Sequence, residues 1–268
     1  MSEKASTQSS CGIAVMAKAS QAGRTKTRLS PPLTLEEAAQ FNTVFLKDIA
    51  DNLLRASEIA NIAAYMAFGP SGAQDFFQEH LPQEIGLLEV WYPDFGKCLT
   101  KALFAQFEAG HHAACVLNSD SPTLPAELLA EAAIALTMPG ERIVLGPSND
   151  GGYYLLGCKT IYKRLFEDIA WSTAAVTSQT LDRARELGLS VYLLPEWYDV
   201  DDHSALSILA GELLEDRPFH RSLKSSPARH SRSLLKSLQS SADLAARLQK
   251  WAHPPAHASH AIVSGVVV

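Results

Sequence analysis

Three loops in this sequence hold residue types suited to chemistry on phosphates. The first follows an apolar run at 13–17: the stretch AKASQAGRTKTRLSP gathers Lys18, Arg24, Lys26 and Arg28 within eleven residues, around Gly23. Arginine offers a planar fork to a phosphate and lysine a compact point charge, so such a loop suits a polyphosphate. Charge and placement alone also leave open a solvated basic loop that binds nothing. The other two loops are acidic. Asp120, in Asn118-Ser119-Asp120-Ser121-Pro122, follows a second apolar run, and Tyr198-Asp199-Val200-Asp201-Asp202 stands just before a helical pattern. Carboxylates there suit Mg2+ or Mn2+, which take oxygen ligands and share phosphates. Each acid also has an ordinary alternative, since Asp caps turns and steadies helix starts. If the chain is extended, Asp199 and Asp201 share a side. Together, one basic and two acidic loops make a divalent-metal and nucleotide-phosphate site, in which Arg24 and Lys26 stabilise charge on a leaving group.

A fourth loop is open to two readings. Ser148-Asn149-Asp150-Gly151-Gly152 is either a hairpin turn or a place where adjacent glycines let a substrate approach backbone N–H groups. Trp171, in Ala170-Trp171-Ser172-Thr173, is either a stacking platform or a core plug. Other chemistry finds no support. The basic loop lacks the Gly-x-x-x-x-Gly-Lys-Ser/Thr pattern, no Gly-x-Gly-x-x-Gly is present, and no serine–histidine–acid arrangement stands out. Cys11, Cys98, Cys115 and Cys158 are scattered, without a Cys-x-x-Cys pair. His253, His257 and His260 have tempting spacing, but Pro254 and Pro255 argue against a helical ligand array.

The elements that must position these loops alternate. Strands are expected at 13–17, 59–68, 87–91, 112–117, 142–145, 153–156 and 190–194, and helices at 71–79, 96–109, 125–136, 174–187 and 203–214. Thr34-Leu35-Glu36-Glu37 has the form of a capping box. Ala38, Phe41, Phe45, Ile49 and Leu53 follow at steps of three or four, one buried face of a further helix. Repeated β-α units predict an α/β fold with three layers, a mixed but mainly parallel sheet between helices. Ligands in such sheets bind outside the carboxyl ends of the strands, which selects the loops after the first and fourth strands.

The chain of 268 residues has a formal net charge of -6, unevenly spread. From Arg217 onward eight Lys/Arg stand against Asp243 alone, leaving 15 Lys/Arg and 28 acids before it. An acidic body of this kind repels nucleic acid. No apolar run reaches the roughly 20 residues of a membrane span, so no membrane partner is expected. A polar start without an apolar stretch leads to a cytoplasmic expectation. We divide the chain into a polar segment 1–11, a nucleotide-binding transferase body 12–216 and a basic Ser/His-rich extension 217–268. Residues 217–241 read as a linker. Leu234, Leu235, Leu238, Ala242, Ala245 and Leu248 would form one amphipathic helix, packed on the body or joining a homo-oligomer.

AGRTKTRLSP, LNSDSPTLP, GPSNDGGYYLLG, AWSTAAVTSQTL and DVDD, in that order, resemble an uncharacterised bacterial family of GT-A-type transferases. That family carries the label glycosyltransferase, with some members linked by name to arsenosugar synthesis. The first and third blocks are also similar to phospholactate guanylyltransferases and molybdenum-cofactor nucleotidyltransferases. The resemblance covers 12–209 and implies the nucleotide-diphospho-sugar transferase fold. It further implies that Lys18, Gly23, Arg24, Lys26 and Arg28 bind nucleotide phosphates, that Asp120 and Asp201 hold the metal, and that Gly151 and Gly152 face the sugar or acceptor. Phe95-Gly96-Lys97-Cys98 departs from the family's Gly-Glu-Arg-like segment, Asp202-His203 replaces Thr-Pro, and Asn118 stands where Gly is common. The label implies a nucleotide-sugar donor and an unknown small acceptor. The charge of the basic loop suits a nucleoside triphosphate that releases pyrophosphate. The altered 95–98 segment keeps a third reading open, a nucleotide-binding protein without turnover.

Overall fold

Strand alternation explains the architecture before any site is considered. In β1 (Cys11–Ala17) Cys11, Ile13, Val15 and Ala17 face one core while Ala14 faces another, so the strand is buried on both sides. A strand with two buried faces belongs in the middle of a sheet covered by helices. The computed structural model, which describes residues 10–240 and Arg247, shows this arrangement. Its strands are β2 (Ile62–Phe68), β3 (Gly86–Glu89), β4 (Ala113–Leu117), β5 (Arg142–Pro147), β6 (Tyr153–Cys158) and β7 (Ser190–Leu193), in the order β3-β2-β1-β4-β6-β5-β7. β6 pairs antiparallel with β4 and β5, and the remaining pairs are parallel.

Helix α1 (Leu35–Ile59), α2 (Gln74–His80), α4 (Ala126–Thr137), α6 (His203–Leu214) and α7 (Arg229–Gln239) contribute to the core on one face. On the other lie α3 (Phe95–Glu108) and α5 (Val176–Glu186). The expected capping box closes α1: Glu37 N–H donates to Thr34 Oγ1 (3.1 Å) and Thr34 N–H to the Glu37 carboxylate (2.7 Å). The helix runs six residues past the last position of the sequence's apolar stripe, from Leu53 to Ile59, so β2 starts at Ile62 rather than at 59. Cys115 and Cys158 are buried, and burial pushes the Cys158 thiol up to about 12, consistent with inert core residues. No helix among the described residues is long and apolar enough to cross a membrane.

The described part of the expected linker 217–241, residues 217–240, is not a linker. It returns to the body, and α7 docks on α1 through a carboxylate clasp. Asp48, on the buried face of α1, accepts from His230 N–H (2.9 Å), Ser231 N–H (2.8 Å) and Ser231 Oγ (2.6 Å). These are first-turn groups of α7 that its own helix cannot satisfy. One helix thus caps another. Leu234, Leu235 and Leu238 of the predicted amphipathic helix fall in α7 and pack on the core. Ala242, Ala245, Leu248, the three tail histidines and residues 1–9 lie outside the described residues.

Candidate phosphate and metal site

Six strands point their carboxyl ends the same way, and the β5–β6 hairpin turns at that end too. A cleft of about 630 Å3 opens there. It is lined by Lys18, Arg24, Lys26 and Arg28 from the basic loop, Asp120 after β4, Asp150 and Gly152 from the hairpin, Trp171, and Asp199 and Asp201 after β7. The expected groups converge although the basic loop and Asp201 are some 175 positions apart in sequence.

Their pairing sorts them. Lys26 Nζ lies 2.7 Å from Asp120 Oδ1 and 3.0 Å from Asp201 Oδ1, and Arg28 bonds the other Asp201 oxygen. Burial works to raise the Asp201 pKa, but Lys26 and Arg28 outweigh it and hold the carboxyl below its ordinary value. Asp199 lacks such a partner: burial, with the charges of Asp150, Asp201 and Asp120, pushes it up to about 7. Lys18 and Arg24 are exposed and make no ion pair among the described residues. Two cations therefore balance the acids, and two face the cleft unpaired.

Two glycines are required by the backbone. Gly23 has φ +75°, in the turn where Arg24 N–H and Thr25 N–H both donate to the Gln21 carbonyl. Gly151 has φ +91°, and a Cβ there would fall 2.3 Å from the Ala174 carbonyl oxygen. The hairpin and the Trp171 loop are thus pressed together, and Thr177 N–H donates to the Gly151 carbonyl (3.0 Å). Neither Gly23 nor Gly151 lines the cleft, whereas Gly152 does. Trp171 is half-buried at the cleft wall, edge-on to Phe95 with ring centroids 5.3 Å apart. The unusual 95–98 segment is built into that wall. Asp94 accepts from Lys97 N–H to cap α3, and a Cβ on Gly96 would meet the Phe166 carbonyl at 2.8 Å.

Sequence reasoning missed the residues that hold the loops. Asn42 donates to the Lys18 carbonyl (3.0 Å), and Asn52 to the carbonyls of Pro122 (3.0 Å) and Leu124 (3.1 Å). Both lie on the buried side of α1, so one helix fixes the basic loop and the Asp120 loop together. A buried asparagine in an apolar helix stripe was the available signal. The Asp199–Asp201 segment is tied down by Val200 N–H donating to the Asp120 carbonyl (2.7 Å) and by Asn149 N–H donating to the Trp197 carbonyl (3.0 Å). Beneath it, Thr123 Oγ1 donates to Tyr198 OH (3.0 Å), which donates to Glu212 (2.7 Å). Asn118 Oδ1 and Tyr153 OH, both from residues lining the cleft, are buried without a partner among the described residues.

Asp48, Asp51 and His230 also stand close enough together to share a cation. Their contacts make them the helix clasp instead. Asp48 already accepts three hydrogen bonds, and Asp51 holds Arg229 Nε at 2.9 Å.

Residues 52–173 match the family described as "Uncharacterized protein conserved in bacteria (DUF2064)". The match includes Asp120, Asp150 and Trp171 and leaves the basic loop and Asp201 outside it. A solved structure from Desulfovibrio desulfuricans G20, provisionally named nucleotide-diphospho-sugar transferase, is similar at 25% identity and TM-score 0.71. It covers 86% of this chain and 98% of its own. CMP:2-keto-3-deoxy-manno-octonic acid synthetase complexed with CTP is similar in fold, at 10% identity and TM-score 0.50, over 78% of this chain and 100% of its own. No curated protein matches the sequence. The three-layer, mainly parallel fold of the nucleotide-diphospho-sugar transferases expected from the sequence is the fold observed.

Proposed function

We propose that the protein is a nucleotide-utilising transferase whose donor is a nucleotide-sugar and whose acceptor is a small molecule. The observation that carries this reading is the convergence of unpaired Lys18 and Arg24 with Asp120 and Asp201 in one cleft at the strand ends. Lys18 and Arg24 receive the donor's phosphates. Asp120 and Asp201 fit a hard divalent cation, because both already converge on a single positive group through carboxylate oxygens. Mg2+ or Mn2+ held there would neutralise phosphate charge and ease departure of the leaving group. Asp150, Gly152 and Trp171 line the same cleft, where a sugar or acceptor would lie. The chain needs no protein nucleophile for this chemistry, since positioning and electrostatic stabilisation suffice. The name of the Desulfovibrio relative supports the nucleotide-sugar donor.

A second reading has its own observation. Four cations in one loop suit the larger charge of a nucleoside triphosphate, with pyrophosphate as leaving group. Mass spectrometry of reactions with Mn2+ and each donor class separates the two. Release of a nucleoside diphosphate from a nucleotide-sugar supports glycosyl transfer, and release of pyrophosphate from a triphosphate supports nucleotidyl transfer. Tight binding without turnover would leave a nucleotide-binding protein, and no binding of either donor would remove the reading altogether.

A further inference from the structure

The Lys26 ammonium occupies the point on which Asp120 and Asp201 converge. Its three oxygen neighbours are Asp120 Oδ1 (2.7 Å), Asp201 Oδ1 (3.0 Å) and the Val200 carbonyl oxygen (2.8 Å), and the side chain is 6% exposed. Those neighbours match the three N–H donors of an ammonium one for one. Phe45 backs it, with its ring centroid 5.4 Å from Nζ. The backbone is set for this placement. Lys26 has φ 52° and ψ 33°, a left-handed conformation uncommon for a residue with a Cβ, while Lys18 and Arg24 of the same loop stay exposed.

An ammonium and a divalent cation cannot occupy one pair of carboxylate oxygens. They compete for the two oxygens that Lys26 holds, and like charges at contact distance repel. Leaving for water would strip the ammonium of both carboxylates at once. Leaving for a phosphate keeps an anionic partner, and Lys26 lines the same cleft as Lys18 and Arg24. We propose that Lys26 is a resident counter-ion that holds Asp120 and Asp201 until nucleotide phosphates draw it away, making metal binding conditional on nucleotide. The inference rests on the nucleotide and metal reading above. It predicts order in the site: metal alone binds weakly, nucleotide enters first, and the two then bind cooperatively. By linkage, the factor by which nucleotide strengthens metal binding equals the factor by which metal strengthens nucleotide binding.

The test uses the full chain and Mn2+ as probe. Electron paramagnetic resonance of free Mn2+ gives its affinity for wild type, Lys26→Gln, Lys26→Arg, Asp120→Asn and the double variant Lys26→Gln/Asp120→Asn, all without nucleotide. Lys26→Gln is expected to bind Mn2+ at least tenfold more tightly than wild type, Lys26→Arg to remain weak, and the double variant to lose the gain. Circular dichroism melts verify that each variant is folded, and Lys26→Met, which removes the charge with a side chain of similar reach, takes the place of Lys26→Gln if that variant is not. Calorimetry then gives the affinity for whichever of UDP, GDP, CDP and ADP binds most tightly, with and without Mn2+. The stimulation by Mn2+ should be larger in wild type than in Lys26→Gln; the Mn2+–nucleotide complex in solution is common to both and cancels. Equal Mn2+ affinity in wild type and Lys26→Gln, abolished in both by Asp120→Asn, would overturn the counter-ion role while leaving the metal site standing. Nucleotide affinity indifferent to Mn2+ in every variant, with no Mn2+ bound to any, would instead remove the metal reading on which the inference stands.

Discussion

Lys18 and Arg24 differ from Lys26 and Arg28 in what they already hold, and that difference sets the effect of removing each. Lys18→Ala or Arg24→Ala removes a charge-assisted contact to ligand phosphate and leaves no acid unbalanced. Such contacts contribute about 1.5–3 kcal/mol, so each variant should lose about ten- to a hundredfold in nucleotide affinity. Calorimetry at low and high salt checks this: the loss should shrink as salt rises, and an unchanged affinity at low salt would remove both residues from the phosphate site. Arg28→Ala acts differently, because it uncovers Asp201. The sequence showed these residue types and their strand-end loops. It did not show which cation meets which acid, since Lys26 and Asp201 are 175 positions apart. Asp199 was legible as a member of an acidic segment, but its lack of a cationic partner is a property of the folded cleft.

At the scale of elements, the hairpin and the Trp171 loop depend on one another through Gly151. Gly151→Ala would place a Cβ against the Ala174 carbonyl at positive φ, which should cost about 1–3 kcal/mol and lower the melting temperature. A variant melting like wild type would show that the two loops can separate without penalty. The α1–α7 clasp gives a second prediction. Asp48→Ala leaves His230 N–H and Ser231 N–H without their carboxylate, so urea unfolding should show a loss of about 1–3 kcal/mol. Hydrogen exchange should quicken first in α7; uniform quickening would place the loss elsewhere. Leu234, Leu235 and Leu238 made the packing of this helix legible in the sequence, but the Asp48 clasp was hidden for a physical reason. Residues 217–241 are rich in Ser, Arg and His, and α7 offers few apolar side chains, so composition reads as linker. The clasp adds to that apolar packing polar contacts with a partner 182 positions away, which no local pattern encodes. The β-α repeats were legible because strands buried on both faces are apolar throughout.

Across the whole molecule, Arg247 reaches back to the segment that follows the basic loop. Arg247 donates through Nη1 and Nη2 to the two Glu37 oxygens (2.8 and 2.7 Å) and also to the Pro32 carbonyl (2.6 Å). The Arg247 hydrogen bond, working against partial burial, holds the Glu37 carboxyl below its ordinary value of 4.5. A depressed carboxyl contributes stability that is fully present above 4.5 and lost as pH falls through the folded value. Glu37→Gln should therefore lower the melting temperature near pH 7, with the gap to wild type closing below about pH 4. A gap independent of pH would mean that the fork does not act through charge.

The central claim concerns the cleft as a whole, a meeting place for nucleotide phosphates and a divalent ion. Calorimetric titration of nucleotide-sugars and nucleoside triphosphates, with and without Mn2+, into wild type and Asp120→Ala tests it most directly. The account predicts binding of one donor class that Mn2+ strengthens in wild type and does not strengthen in Asp120→Ala. Binding equally tight with and without Mn2+ in both proteins would contradict the metal, and the absence of any binding would contradict the phosphate site itself.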